Sequence, residues 1–226
     1  MAGLRDRQKA RRREAIMAAA AKLFQERGFE RAAMEEIAAA AELSVATVYN
    51  YFRSKGDICL AIYRADRDLV RAATDRVVAD PPADPVDAIC RLMEADFDTE
   101  LTFIDPGAWE ALIAATFAAQ PRLAAAFIDD YLMRIQQFRR LLEALRDQSA
   151  IAAGADVASA AELLAGLNLW HFINGMVRMR KGGPAGGRKI LDAAAKRAIR
   201  RQVHQLVAGL TRSKAAGGRA RRRSST

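Results

Sequence analysis

Residues 34–55 read MEEIAAAAELSVATVYNYFRSK, two short apolar patterns meeting at a tight polar joint, and they decide how the chain folds. Met34, Ile37, Ala38 and Ala41 recur at helical spacing, Glu42-Leu43 make a turn, and Ser44 offers a hydroxyl that caps a further helix over about Val45 to Tyr51. Phe52-Arg53 interrupt that helix. Ser54, with Asp57 three residues on, then reads as a capping-box-like start to a long helix reaching about Ala79. Asp80-Pro81-Pro82 end it, because proline lacks the N–H a helix needs and pushes its predecessor out of helical geometry. Upstream, Ile16, Ala19, Ala20, Leu23 and Phe24 form an apolar stripe between Arg12 and Arg27, and Gly28 supplies the stop. Three short helices, the last two joined by a tight turn, match a helix-turn-helix, whose second member enters the major groove of DNA.

Ala19-Ala20 with Leu23-Phe24, then Gly28-Phe29, Ile37-Ala38, Ala41, Ser44, Thr47-Val48-Tyr49, Tyr51-Phe52 and Ser54-Lys55 follow one another at a spacing that resembles the TetR family of transcriptional regulators, TetR/AcrR type. The resemblance covers roughly residues 12 to 60 at motif level. It implies an all-α protomer of about nine helices, with a three-helix DNA-binding head and a larger helical domain for ligand binding and dimerisation. On that pattern, residues 1–11 are a basic arm, 12–54 the head, 55–213 the body and 214–226 a basic, disordered tail. It also implies a homodimeric repressor released from a palindromic operator by a small molecule. Two departures stand out: Ala32 and Ala33 replace the hydroxyl residues that usually open the second helix, and Glu42 replaces the glycine of the turn. A third, Ala46 for glycine, is mild, since alanine is the better helix former. Loss of the hydroxyl cap costs the second helix about 1 kcal/mol.

On the reading helix, Val45, Ala46, Thr47, Tyr49, Asn50 and Tyr51 are available to a groove, while Val48 and Phe52 complete the small core. Thr47 offers a hydroxyl and a methyl to base edges, Val45 or Ala46 an apolar surface for thymine methyls, and Tyr49 and Tyr51 phenols for phosphate oxygens. Lys55, at the start of the long helix, joins a positive side chain to free backbone N–H groups, a combination suited to phosphate. Arg31 or the basic N-terminal arm stands in for the missing hydroxyl donors. Each has a plainer alternative: Tyr49 packs on the first helix, or Lys55 is a solvated cap residue.

Beyond the prolines, Pro85 opens a helix to about Leu101, Asp105-Pro106 open another, and Pro121 a third to about Gln148. After Ala153-Gly154, an apolar helix runs from about Val157 to Arg180, is ended by Gly182-Gly183-Pro184, and is followed by a last helix from about Arg188 to Thr211. The family pairs its last two helices across the dimer. The Val157–Arg180 segment is apolar nearly all round, as a helix between pocket and partner must be, and its Gly166 and Gly175 permit close approach. Ligand-facing candidates are Phe97, Trp109, Phe127, Tyr131, Trp170, His171 and Asn174. A satisfied core histidine is the competing reading of His171, and ordinary core that of the aromatic set.

Six basic residues against one acid in residues 1–13, and five with none in 214–226, account for a net charge of +9 and leave the rest of the 226-residue chain near neutral. The N-terminal arm fits phosphate contact; the C-terminal one fits either phosphate contact or a solvated end. Residues 22–57 carry five basic residues against six acids, so docking rests on placed contacts and the arm. Cys59 and Cys90 make no disulfide framework or thiolate metal site, and no signal or membrane segment is found, so a cytoplasmic setting is expected. Two histidines, no phosphate-binding glycine loop and no nucleophile-base pattern give no recognisable catalytic set, and no cofactor is called for. A non-specific architectural DNA-binding protein is the alternative, with an enzyme using the helical pocket ranked behind it.

Overall fold

The computed structural model describes residues 3–99, 103, 121–181 and 190–212, and among these every regular element is a helix. In chain order they are α1 (Leu4–Arg27), α2 (Met34–Ala40), α3 (Val45–Tyr51), α4 (Lys55–Ala79), α5 (Pro85–Asp98), α6 (Pro121–Asp147), α7 (Val157–Lys181) and α8 (Ala193–Arg212). The helix expected to open at Asp105-Pro106, the Gly182-Gly183-Pro184 break and the tail at 214–226 lie outside the described residues. By compactness the chain divides within α4: one unit comprises Met1–Leu69 with Glu100–Asp129, the other Val70–Thr99 with Asp130–Thr226.

In the first unit, α1 packs on α2 and α2 on α3. Ile16, Met17, Ala20, Leu23 and Phe24 are the buried face of α1, facing inward with Ile37 and Ala38 of α2 and Val48 of α3. The first helix begins at Leu4 rather than Arg12, so the basic arm is a continuation of α1, exposed from Gly3 to Ala15. The signal lay in the residue types: Leu, Arg, Gln, Lys and Ala are strong helix formers, and Asp6 in the first turn accepts the Gly3 N–H at 3.3 Å. At the other end Gly28, at φ 82°, takes the left-handed region that a residue with a Cβ enters at a cost, and the chain turns towards α2.

The second unit is built on Phe138, Leu141, Leu142 and Leu145 of α6, packed with Ile89, Leu92 and Met93 of α5 and Leu164 of α7. From α8, Ile199 and Val203 close the same core. Asp84 caps α5 by accepting the Asp87 N–H at 2.8 Å, with Pro85 in the first turn as expected, and α5 ends at Asp98 rather than near Leu101. The last helix starts at Ala193 rather than near Arg188: Asp192 accepts the Ala195 N–H at 2.7 Å, while Ile190 and Leu191 are buried ahead of it.

Gly175 permits the close approach expected of it. A Cβ there would come 2.5 Å from the carbonyl oxygen of Ile190, so this glycine permits α7 to approach its own chain, whereas Gly166 has open space around it. Because the obstacle is backbone, Gly175→Ala is expected to lower stability by about 2 kcal/mol through overpacking, and Gly166→Ala to leave stability unchanged or raised. Thermal denaturation of the two variants checks this; equal midpoints would refute the close approach.

Candidate nucleic-acid interface

The turn into α3 is tightly specified. Leu43 N–H donates to Ala38 O at 3.0 Å and Glu42 N–H to Ala39 O at 3.1 Å, the paired bonds of a Schellman ending, with Glu42 at φ 56° in the left-handed position glycine favours. The missing glycine noted in the sequence is therefore strain held at this joint, about 1 kcal/mol for a residue with a Cβ. Ser44 then caps α3 as expected: its hydroxyl accepts the Thr47 N–H at 3.1 Å and lies 2.7 Å from the Thr47 hydroxyl. That second contact ties the Thr47 hydroxyl to the cap, leaving its methyl for a base edge.

Val48 and Phe52 are buried, which fixes the rotation of α3 and turns Ala46, Tyr49 and Asn50 outward. Tyr49 is 48% exposed, so about half of its side chain is open to solvent. Val45, Thr47 and Tyr51 sit half-buried at the edges of the same face. The predicted set on α3 thus lies on one short helix whose inner side is anchored.

Lys55 corrects the sequence reading. Its Nζ donates to the carbonyl oxygens of Phe29 at 2.8 Å, Glu30 at 2.7 Å and Ala32 at 3.2 Å, and lies 4.8 Å from the centre of the Phe29 ring. An ammonium has three N–H bonds, so the donors expected on phosphate are spent inside the unit, pinning α4 to the loop between α1 and α2. The residue type fits either role; only the loop's approach from 23 to 26 residues away decides. Arg31 is exposed, with its Nε donating to the Arg27 carbonyl at 2.7 Å. At the head of α2 the lost cap is half replaced: Ala33 has no hydroxyl, but its N–H donates to the Glu36 carboxylate at 3.1 Å, and the same carboxylate pairs with Arg27.

Lys55→Met, which leaves three carbonyls without their donor, is expected to destabilise the protein by about 2 kcal/mol. Unfolding in urea measures it. A variant of unchanged stability that loses only DNA affinity would restore the phosphate role.

Residues 16–62 match the family model described as bacterial regulatory proteins, tetR family. By this head, the chain is similar to the TetR family. The matched span begins at Ile16, the first buried residue of α1, and runs through α3 into α4. The repressor LfrR of Mycolicibacterium smegmatis, of the helix-turn-helix type, is 36% identical over 97 residues, which are 42% of this chain and 48% of that protein. The chain thus spans about half the length of the curated relative it matches. Among solved structures, the TetR-family regulator PfmR from Thermus thermophilus is similar at a TM-score of 0.58 and 24% identity, over 87% of this chain and 99% of that one. A transcriptional regulator from Rhodococcus sp. Rha1 gives 0.64 and 19%, over 87% and 96%. At these identities the likeness is one of fold.

Among the described residues, the ligand candidates divide between the two units. Phe97 is buried and stacks with Phe172 at 6.4 Å; Phe127 belongs to the first unit, stacked on Tyr63 at 4.8 Å; Tyr131 packs against the core; Trp109 lies outside the described residues. His171 is buried with Nε2 2.8 Å from Gln202 Oε1. Asn174 donates to the Trp170 carbonyl at 2.9 Å, and Trp170 is 58% exposed.

What the sequence reading missed is a buried polar chain through this unit. Asp96 of α5 receives Arg134 of α6 and, at 2.6 Å, Asn168 of α7. Gln137, itself bonded to Arg134, donates to Thr74 at 2.8 Å and Asp75 at 2.9 Å on α4. Among the described residues the buried Asn168 carbonyl oxygen has no hydrogen-bond partner. Polar residues on otherwise apolar faces were the only sequence trace of this chain, since its members lie far apart in the sequence. Burial pushes the thiol of Cys59 up to about 12 and that of Cys90 to about 11, so neither is a thiolate near neutral pH.

Proposed function

We propose that this protein is a site-specific, DNA-binding transcriptional regulator, a repressor that binds a palindromic operator as a homodimer and is released by a small molecule. The observation that carries the reading is α3: a short, capped helix anchored by Val48 and Phe52, with Ala46, Tyr49 and Asn50 directed outward. Asn50 supplies an amide able to pair bidentately with adenine, Ala46 and the Thr47 methyl supply apolar surface for thymine, and Tyr49 supplies a phenol for phosphate. The exposed basic turns of α1, with Arg5, Lys9 and Arg12 one helical turn apart, add sequence-independent affinity. LfrR, named as a repressor, supports the sign of the regulation.

Pairing of two copies is supported by α7. Leu163, Gly166, Trp170, Ile173 and Val177 alternate three and four residues apart along its outer side; the four side chains are exposed and Gly166 opens space for close approach. The corresponding outer positions of α8, Arg197, Arg201 and His204, are exposed and polar, so α7 is the more apolar contributor to a paired face. For a ligand, the unpartnered Asn168 carbonyl beside the Asp96–Arg134 pair is a buried acceptor suited to a donor group.

Selection of random duplexes by the purified protein at moderate salt is expected to enrich an inverted repeat, and Asn50→Ala to relax preference at one position of each half-site, losing roughly 1–3 kcal/mol there. Enrichment without a motif would favour the architectural alternative. Separately, Ile173→Asp is expected to convert a dimer to a monomer in sedimentation equilibrium; a variant that still dimerises would place the interface elsewhere.

A further inference from the structure

The first unit contains a cleft of about 440 Å³ to which none of the roles above gives a use. That volume lies within the range of roughly 300–1,000 Å³ that accommodates small ligands. Three arginines line it from three helices: Arg13 from α1, Arg64 from α4 and Arg122 from α6. Its apolar surface comes from Leu60, Ala61 and Ala65 of α4, and its aromatic side from Tyr51 and Phe52 at the end of α3.

We propose that this cleft binds a small organic anion with a flat apolar body, of the aryl carboxylate class. Two carboxylates, Asp57 and Asp68, also line it, so the lining holds three cations against two anions. Asp57 is already engaged by Arg122 at 3.4 Å, a loose pair on a side chain 82% exposed, which a better-placed carboxylate replaces at little cost. Arg13 is preset: its guanidinium carbon lies 5.1 Å from the centre of the Phe52 ring, holding a cation beside an aromatic face. Arg64 has no acidic partner among the described residues. A planar fork without a partner, next to an apolar floor, selects a carboxylate carried on a ring over a bare ion.

A DNA phosphate fits this place poorly. Arg64 is nine residues along α4, roughly 13 Å from the helix start beside the reading helix, and phosphodiesters have no use for the floor of Leu60 and Ala61. The occupant does touch Tyr51, the last residue of α3, so its binding is linked to the position of the reading helix. That linkage rests on the DNA-binding reading; the site itself goes beyond it, and its test needs no DNA.

Calorimetric titration of the full chain with benzoate tests the proposal, with benzylamine as the same ring in opposite charge and inorganic phosphate as an anion without a ring. Benzoate is expected to bind and benzylamine to give no heat. Arg64→Ala, an exposed position whose circular dichroism reports retained folding, is expected to weaken benzoate at least about tenfold, the loss of one charge-assisted bond. Arg139→Ala, which removes a surface arginine paired with Glu143 outside the cleft, is expected to change nothing. Absence of benzoate binding, equal binding of benzylamine, or full affinity in both Arg64→Ala and Arg122→Ala overturns the site. Phosphate binding as tightly as benzoate overturns the aryl class.

Discussion

The first unit depends on one ammonium group. Lys55 closes the loop between α1 and α2 by satisfying three backbone carbonyls, at Phe29, Glu30 and Ala32, that would otherwise meet only water. Its cation also rests on the ring of Phe29, which packs against Phe24 at 5.2 Å. One side chain thereby fixes the start of α4 against the apolar interior of the head. The orientation of α3 follows, because α3 lies between the α2 it packs on and the Ser54 that begins α4. A reading helix of seven residues has little helical stability of its own, so its geometry comes from such anchors.

Strain and compensation are concentrated at the same place. Glu42 occupies a left-handed position without being glycine, and α2 starts on an alanine that cannot cap it. Against these stand the Schellman bonds at Ala38 and Ala39, the Glu36 carboxylate on the Ala33 N–H, and the Ser44 cap. Each such contact contributes of the order of 1 kcal/mol. The second unit uses another device: Asp96, Arg134, Gln137 and Asn168 connect α4 to α7 through a buried chain of hydrogen bonds. Removing one member of such a pair leaves a buried charge uncompensated, so these contacts enforce a particular packing more than they add stability.

Much of the candidate interface was legible. The inner positions Val48 and Phe52 and the outward positions Ala46, Tyr49 and Asn50 follow from a 3.6-residue period over a few residues, as do the Ser44 and Asp84 caps. The anomaly at Glu42 was visible as a residue type in the wrong place. Lys55 was not legible in the same way: a lysine at a helix start suits phosphate or backbone carbonyls, and the carbonyls it found belong to a loop more than twenty residues earlier. Gly175 was legible as a point of close approach, though a glycine on an apolar helix does not say to what.

By itself the sequence determined the all-helical class, the helix-turn-helix head and the residues that α3 turns outward, because periodicity, capping and turn chemistry act between neighbours along the chain. Only the tertiary structure decided which polar groups spend their hydrogen bonds internally. It turned Lys55 from a phosphate contact into a clamp, and it set His171 beside Gln202. It also joined Asp96 to Arg134 and Asn168, and brought Arg13, Arg64 and Arg122 to one cleft. A donor's or acceptor's role depends on what lies within about 3 Å, and for residues far apart in sequence that distance is set by packing alone.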